Sequence, residues 1–352
     1  MIRAGIVGAS GLAGGELVRL LTQHPSFEIT IVCGSGSVGK LIHQLHPNLR
    51  DATKLTVQPI DPHDIEQKCD VVFLATPPAE SSRIAELLAE TTTRVIDLSG
   101  AFRIKDATTH SRWYPSVHRN EHLATRFLYG VPELVADAEW TSAQLISLPG
   151  CFATAIALSL APLVDSGIPL GRVIVDGKTG SSGGGVSGRS GASHPIRTGS
   201  VTPYAPAGHR HSAEVEEFLN DREPTSNASI SMSAYGVSHV RGLLATSYLF
   251  PQTDLEEKAA RKLFFGHYRG KHFVRVRSHT ESTIPLPDPH ALVASNYCDI
   301  TVARDPNGGP LVVMAALDNL IKGAAGQAIQ VANLAFGRPE EEGIGQLPVF
   351  PA

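Results

Sequence analysis

Cys151 follows a Pro149-Gly150 turn and opens the run Phe152-Ala153-Thr154-Ala155, a pattern that predicts the start of a helix. A thiol there meets backbone N–H groups without intrahelical acceptors and the positive end of the helix dipole, and both favour the thiolate. The thiolate is the nucleophilic form of cysteine, so this position suits covalent catalysis. Downstream, His209 and His211 flank Arg210 and offer two candidate bases. On an extended segment their rings would share a side; on a turn they would diverge. No third ligand stands at metal-binding spacing from them, so no metal is expected. From Gly177 to Ala213 the chain has no Asp or Glu, yet it carries Lys178, Arg189, Arg197 and Arg210. A one-signed stretch suits an anion, either phosphate or carboxylate, and arginine forks grip both. The alternative is a set of interdomain salt bridges.

A second chemical signal stands at the N-terminus. Gly5-Ile6-Val7-Gly8-Ala9-Ser10-Gly11-Leu12-Ala13-Gly14 joins an apolar strand to a helical pattern. Glycines at this junction let the backbone approach a pyrophosphate at the helix start. The spacing is GxxGxxG rather than GxGxxG, and the cofactor reading rests on its place inside a βα repeat. The second strand runs into Cys33-Gly34-Ser35-Gly36-Ser37, with no acidic residue to select the ribose diol of NAD. Hydroxyls of Ser35 and Ser37, with Lys40 nearby, favour NADP. A thiol acyltransferase or hydrolase would use Cys151 without this loop, and a nucleotide-sensing protein would use the loop without the thiol.

These groups need a frame. Alternating strands and helices fill the first 150 residues: strands at Ile2–Val7, Phe27–Val32, Asp70–Ala75 and Arg94–Leu98, with helices from Gly14 and Ala79. That rhythm predicts an α/β fold with a Rossmann-type doubly wound parallel sheet. From Cys151 the character changes to β-rich segments at Val173–Asp176, Ile230–Tyr235, Leu244–Phe250 and His272–Val276, which predict a second α+β domain with a mixed sheet. Leu311–Leu317 reads as a strand and Gly323–Leu334 as a helix. At 352 residues two domains are expected. The net charge of −4 leaves no footprint for nucleic acid, and no apolar run spans a membrane. Four scattered cysteines without CxxC spacing, and a strand that begins at once, lead to the expectation of a cytoplasmic protein without structural disulfides.

Further motifs are Gly8 to Leu17, Asp97-Leu98-Ser99-Gly100-Ala101-Phe102-Arg103, Tyr129-Gly130-Val131-Pro132-Glu133-Leu134, Pro149-Gly150-Cys151 with Thr154-Ala155, His209-Arg210-His211 with Glu214, and Asp318 to Ala328. On these the chain resembles the N-acetyl-γ-glutamyl-phosphate reductase family, relatives of aspartate-semialdehyde dehydrogenase. It implies NADP-dependent reduction of an acyl phosphate through a thioester on Cys151. His211 would be the acid/base residue and His209 its neighbour. Gly8, Ser10, Gly11, Leu12, Ala13, Gly34, Ser35, Gly36 and Asn319 would hold the cofactor. Arg103, Arg189, Arg197 and Arg210 are the candidate substrate contacts.

The nucleotide domain would comprise 1–150 and 317–352, and the catalytic domain 151–316, as a homodimer or homotetramer. Two departures stand out: Leu148 replaces an Asn found in many members, and the Gly-rich loop Thr179–Ser193 is longer than the usual form. The loop resembles a sub-branch whose substrates are tethered to a small acidic amino-group carrier protein. The leading expectation is N-acetyl-γ-glutamyl phosphate, in arginine biosynthesis. The alternative is a carrier-linked aminoadipyl or glutamyl phosphate.

Overall fold

The computed structural model describes residues 1–186, 193–251, 255–278 and 284–351. They divide into two compact units: Met1–Gly150 with Ala324–Gln346, and Cys151–Gly323 with Leu347–Ala352. The return to the first unit, expected at residue 317, falls at 324. The reason is that the turn after the last strand stays with the second unit's sheet. The chain's last residues also group with the second unit, where the Val349 N–H donates to the Val293 carbonyl at 3.1 Å.

The first unit is built on a six-stranded parallel sheet: β1 (Ile2–Val7), β2 (Phe27–Cys33), β3 (Val71–Leu74), β4 (Arg94–Asp97), β5 (Leu128–Tyr129) and β6 (Leu145–Ser147), in the order β2-β1-β3-β4-β6-β5. The four residues of β3 are fully buried, as a central parallel strand covered on both faces requires. Burying each such side chain contributes about 1.5–3 kcal/mol before conformational entropy is counted. The helix Leu12–Leu21 starts directly after Gly11, two residues before the glycine expected to open it. The helix Gly326–Ala335 completes this unit from the far end of the chain. His24 Nε2 lies 3.1 Å from Asn333 Oδ1, and Gln330 Nε2 donates to Glu133 Oε1 at 3.0 Å.

The second unit holds a seven-stranded mixed sheet: β7 (Arg172–Thr179), β8 (Thr202–Ala205), β9 (Ser229–Gly236), β10 (Leu243–Leu249), β11 (Val274–Val276), β12 (Cys298–Arg304) and β13 (Leu311–Leu317), in the order β11-β12-β13-β10-β7-β9-β8. β7 alternates buried and open positions, so Val173, Val175, Gly177 and Thr179 face inward. The helix Cys151–Val164 packs on this face and is buried at every position after Cys151. The helix Arg210–Arg222 packs beside it. Strands β8 and β12 were not expected: β8 contains a proline and sits at the sheet edge, and β12 carries Asp299, Thr301 and Arg304 among its apolar residues.

Candidate active site

Cys151 is the first residue of its helix, and of the four free cysteines it alone is not buried. Phe152, the next residue, turns inward. Its ring lies 5.9 Å from that of His209 and 6.2 Å from that of His211. The ring fits because Gly177 leaves room for it: a Cβ there would lie 2.7 Å from Phe152 Cε1. One aromatic side chain thus joins the helix that carries the thiol to the turn that carries the histidines.

That turn caps the helix Arg210–Arg222. His209 is the N-cap, and its Nδ1 accepts the His211 N–H at 3.2 Å. The two rings meet edge to face with centroids 4.6 Å apart, so neither the shared side nor the divergence considered from sequence describes them. Burial, helped by the adjacent Arg210 charge, lowers His209 to about 4, which keeps it neutral and able to accept. His209 is therefore a capping group. His211 is buried in the first helical turn. Glu214 lies three residues further on, on the same helix face, and is also buried.

Tyr204, on β8, was not singled out from sequence. Its ring lies 6.0 Å from that of His209 and beneath the Arg197 guanidinium, 5.8 Å from the ring centroid. The residue is 45 % exposed, yet its hydroxyl is desolvated by the surrounding protein. That desolvation, together with Cys151, pushes the phenol up against the opposing pull of Arg197 and Arg210. The sequence signal for it was present in Pro203-Tyr204-Ala205-Pro206, a rigid segment leading into the histidine turn. Arg197 is buried against Gly236, where a Cβ would strike its guanidinium, and Arg210 is exposed at the helix start. Both substrate candidates thus lie in electrostatic reach of Tyr204. Arg189 lies outside the described residues.

Asn319 is committed to backbone and loop rather than left open. Its Oδ1 accepts the Gly242 N–H at 2.8 Å and its Nδ2 donates to Ser182 Oγ at 3.0 Å. It anchors the start of the Gly-rich loop. Among the described residues no group of three His, Cys, Asp or Glu side chains could hold a metal ion, and no helix is long and apolar enough to cross a membrane.

The glycine loop belongs to the first unit. Gly8 has φ +89°, and a Cβ on it would lie 2.4 Å from the Ala75 carbonyl oxygen. A Cβ on Gly14 would lie 2.2 Å from the Gly8 carbonyl oxygen, so the helix can start this close to the strand only with glycine at both positions. His46 Nε2 lies 2.8 Å from the Ala9 carbonyl oxygen and latches the loop, a role the sequence did not signal. Gly34 is buried beside Ser10, whereas Ser35 and Gly36 are exposed. This tight strand–helix turn, with Gly34 beside Ser10, fits the close backbone approach that a dinucleotide needs. Arg103 Nε donates to the Leu148 carbonyl and its Nη2 to the Leu98 carbonyl, both at 2.7 Å. It ties the exits of β4 and β6 together. Leu148 is buried beside Gly130, an apolar site where an amide would need partners.

Residues 3–140 match the family model for the semialdehyde dehydrogenase NAD binding domain, and residues 151–319 match that for the semialdehyde dehydrogenase dimerisation domain. The chain belongs to the semialdehyde dehydrogenase family. It is 39 % identical over 353 residues to the LysW-L-2-aminoadipate/LysW-L-glutamate phosphate reductase of Saccharolobus solfataricus, covering 100 % of this chain and 99 % of that one. It is 38 % identical over 354 residues to the enzyme of the same name from Sulfurisphaera tokodaii, covering all of both chains. In fold it is similar to aspartate semialdehyde dehydrogenase II of Vibrio cholerae, with a TM-score of 0.72 and 15 % identity over 96 % of this chain and 98 % of that one. The Candida albicans aspartate semialdehyde dehydrogenase with NADP gives 0.71 and 18 % over 95 % and 98 %.

Proposed function

We propose that this chain is an NADP-dependent acyl-phosphate reductase acting on L-2-aminoadipate or L-glutamate phosphate carried on LysW, a small carrier protein. What carries the reading is the joining of Cys151, at a helix start, to the His209–His211 turn through Phe152. The full-length likeness to reductases of LysW-linked substrates supports the carrier-linked class over the N-acetylated one first expected. The long Gly-rich loop and its acid-free surroundings agree with that choice. The match to a dimerisation domain supports a homodimer.

Cys151 attacks the acyl carbon; the carbon–sulfur bond forms, the carbon–oxygen bond to phosphate breaks, and phosphate leaves with its electron pair. His211 takes up the thiol proton and passes it to the departing phosphate oxygen. Arg197 and Arg210 draw the anionic group toward the thiol and offset its developing charge. Gly8, Ser10 to Ala13 and Gly34 to Gly36 would hold NADPH, which when bound would supply the hydride that reduces the acyl group. Cys151 then leaves as thiolate and the semialdehyde is free.

The test runs the reaction in the oxidising direction with phosphate and NADP, comparing LysW-linked aminoadipate semialdehyde, LysW-linked glutamate semialdehyde and free N-acetylglutamate semialdehyde. A kcat/KM for a carrier-linked substrate at least about a hundredfold above the free one, roughly 2.7 kcal/mol, is expected. Equal or better use of the free compound would return the substrate to the N-acetylated class.

A further inference from the structure

Gly323 stands directly against the nucleophile. A Cβ built on it would lie 2.6 Å from Cys151 Cβ, 3.2 Å from Cys151 Cα and 3.4 Å from Leu317 Cδ1. Carbon atoms do not approach to 2.6 Å without something moving. The close approach is made by a π-helical turn, Ile321–Ala325, in which the Gly323 N–H donates to the Asp318 carbonyl at 3.0 Å, five residues back. Such turns give up regular helix geometry and concentrate at functional sites.

The turn is fixed before it reaches Cys151. Asp318 is fully buried; its Oδ1 accepts the Leu320 N–H at 2.8 Å, and its Oδ2 accepts the Ala294 N–H at 2.8 Å and faces Arg241 Nη1 at 3.5 Å. Asn319 is pinned between Gly242 and Ser182. On the other side, the helix that begins at Cys151 is buried at every position after Cys151 and is hemmed in against sliding to make room.

We propose that Gly323 is a positioning residue for the reaction: its missing side chain sets the direction of the Cys151 Cα–Cβ bond, and so the place of Sγ against the acyl carbon. The closest contact falls on Cβ, the atom that carries the sulfur, so its displacement re-aims Sγ. The proposal rests on Cys151 being the nucleophile.

The experiment compares Gly323→Ala, Cys151→Ala, Cys151→Gly and the Cys151→Gly/Gly323→Ala pair in the full chain. A displacement of about 1 Å at a reacting atom costs roughly a hundredfold, so kcat of Gly323→Ala should fall by about that factor while KM for the acyl phosphate stays within about twofold. Alkylation of Cys151 by iodoacetamide should slow, and the loss in Tm caused by Gly323→Ala should shrink in the Cys151→Gly background, where the colliding atom is gone. If Gly323→Ala folds only in that background, the contact is confirmed; if it unfolds in both, or costs the same Tm in both, the proposal fails. Unchanged kcat and alkylation in Gly323→Ala, beside an inactive Cys151→Ala, overturn this proposal alone. Full activity in Cys151→Ala overturns the nucleophile reading as well.

Discussion

His209 Nδ1 accepts the backbone N–H of His211 at 3.2 Å, so the first imidazole of the pair caps the helix that carries the second. The two histidines are therefore unequal. An acceptor at Nδ1 holds His209 neutral, while His211 is the one embedded in the first helical turn beside Phe152.

The inequality separates their variants. His211→Ala should lower kcat by about 10²–10⁴, the range for a lost general acid–base. His209→Asn keeps a cap acceptor and should hold kcat within about tenfold, whereas His209→Ala loses the cap and about 1 kcal/mol of stability. Steady-state kinetics with thermal melts check this; equal losses for His211→Ala and His209→Asn would contradict it.

Acid should destabilise the fold through two desolvated imidazoles. Burial lowers both His209 and His110 to about 4 from an ordinary 6.5. Between those limits the unfolded chain binds more protons than the folded one, so stability is full above about pH 6.5 and is lost as pH falls toward 4. Urea midpoints at pH 7.5 and pH 5 should differ in the native chain and differ less in His110→Phe. The same difference in both proteins would contradict the assignment of His110.

Much of this site is legible in the sequence because local signals carry it. Pro149-Gly150-Cys151 announces a helix start, and Gly8 to Gly14 announces a strand–helix turn. What pairs across the chain is not legible. Gly323 meets Cys151 across more than 170 residues, His46 latches Ala9, and Phe152 reaches His209; each depends on the tertiary path. The backbone partners of Arg103, the Leu98 and Leu148 carbonyls, are out of the sequence's reach for the same reason. The extent of the last domain crossing also escapes composition, because the π-helical turn reads as ordinary helix.

Thiol chemistry should single out Cys151. Burial pushes the Cys33 thiol to about 12 and raises Cys69, and Cys298 is buried, while Cys151 is partly exposed. Iodoacetamide on the native protein should modify Cys151 first and abolish activity in step with that single label. Peptide mapping checks it, and activity surviving full Cys151 modification would contradict the role given to it.

Cofactor binding should fail at Gly8 without harm to the thiol. A methyl group at this positive-φ position meets the Ala75 carbonyl oxygen, so Gly8→Ala should weaken NADPH binding at least about tenfold. Fluorescence titration measures the affinity, and Cys151 alkylation at the native rate shows that the second unit is intact. Native affinity in a folded Gly8→Ala would remove the loop from the cofactor site.

The central claim is an acyl-enzyme on Cys151, and intact-mass spectrometry reads it directly. The protein mixed with a LysW-linked acyl phosphate and no reduced cofactor should gain the mass of one acyl group, located on the Cys151 peptide and discharged on adding NADPH. No adduct on Cys151, or one that NADPH leaves in place, would contradict the account.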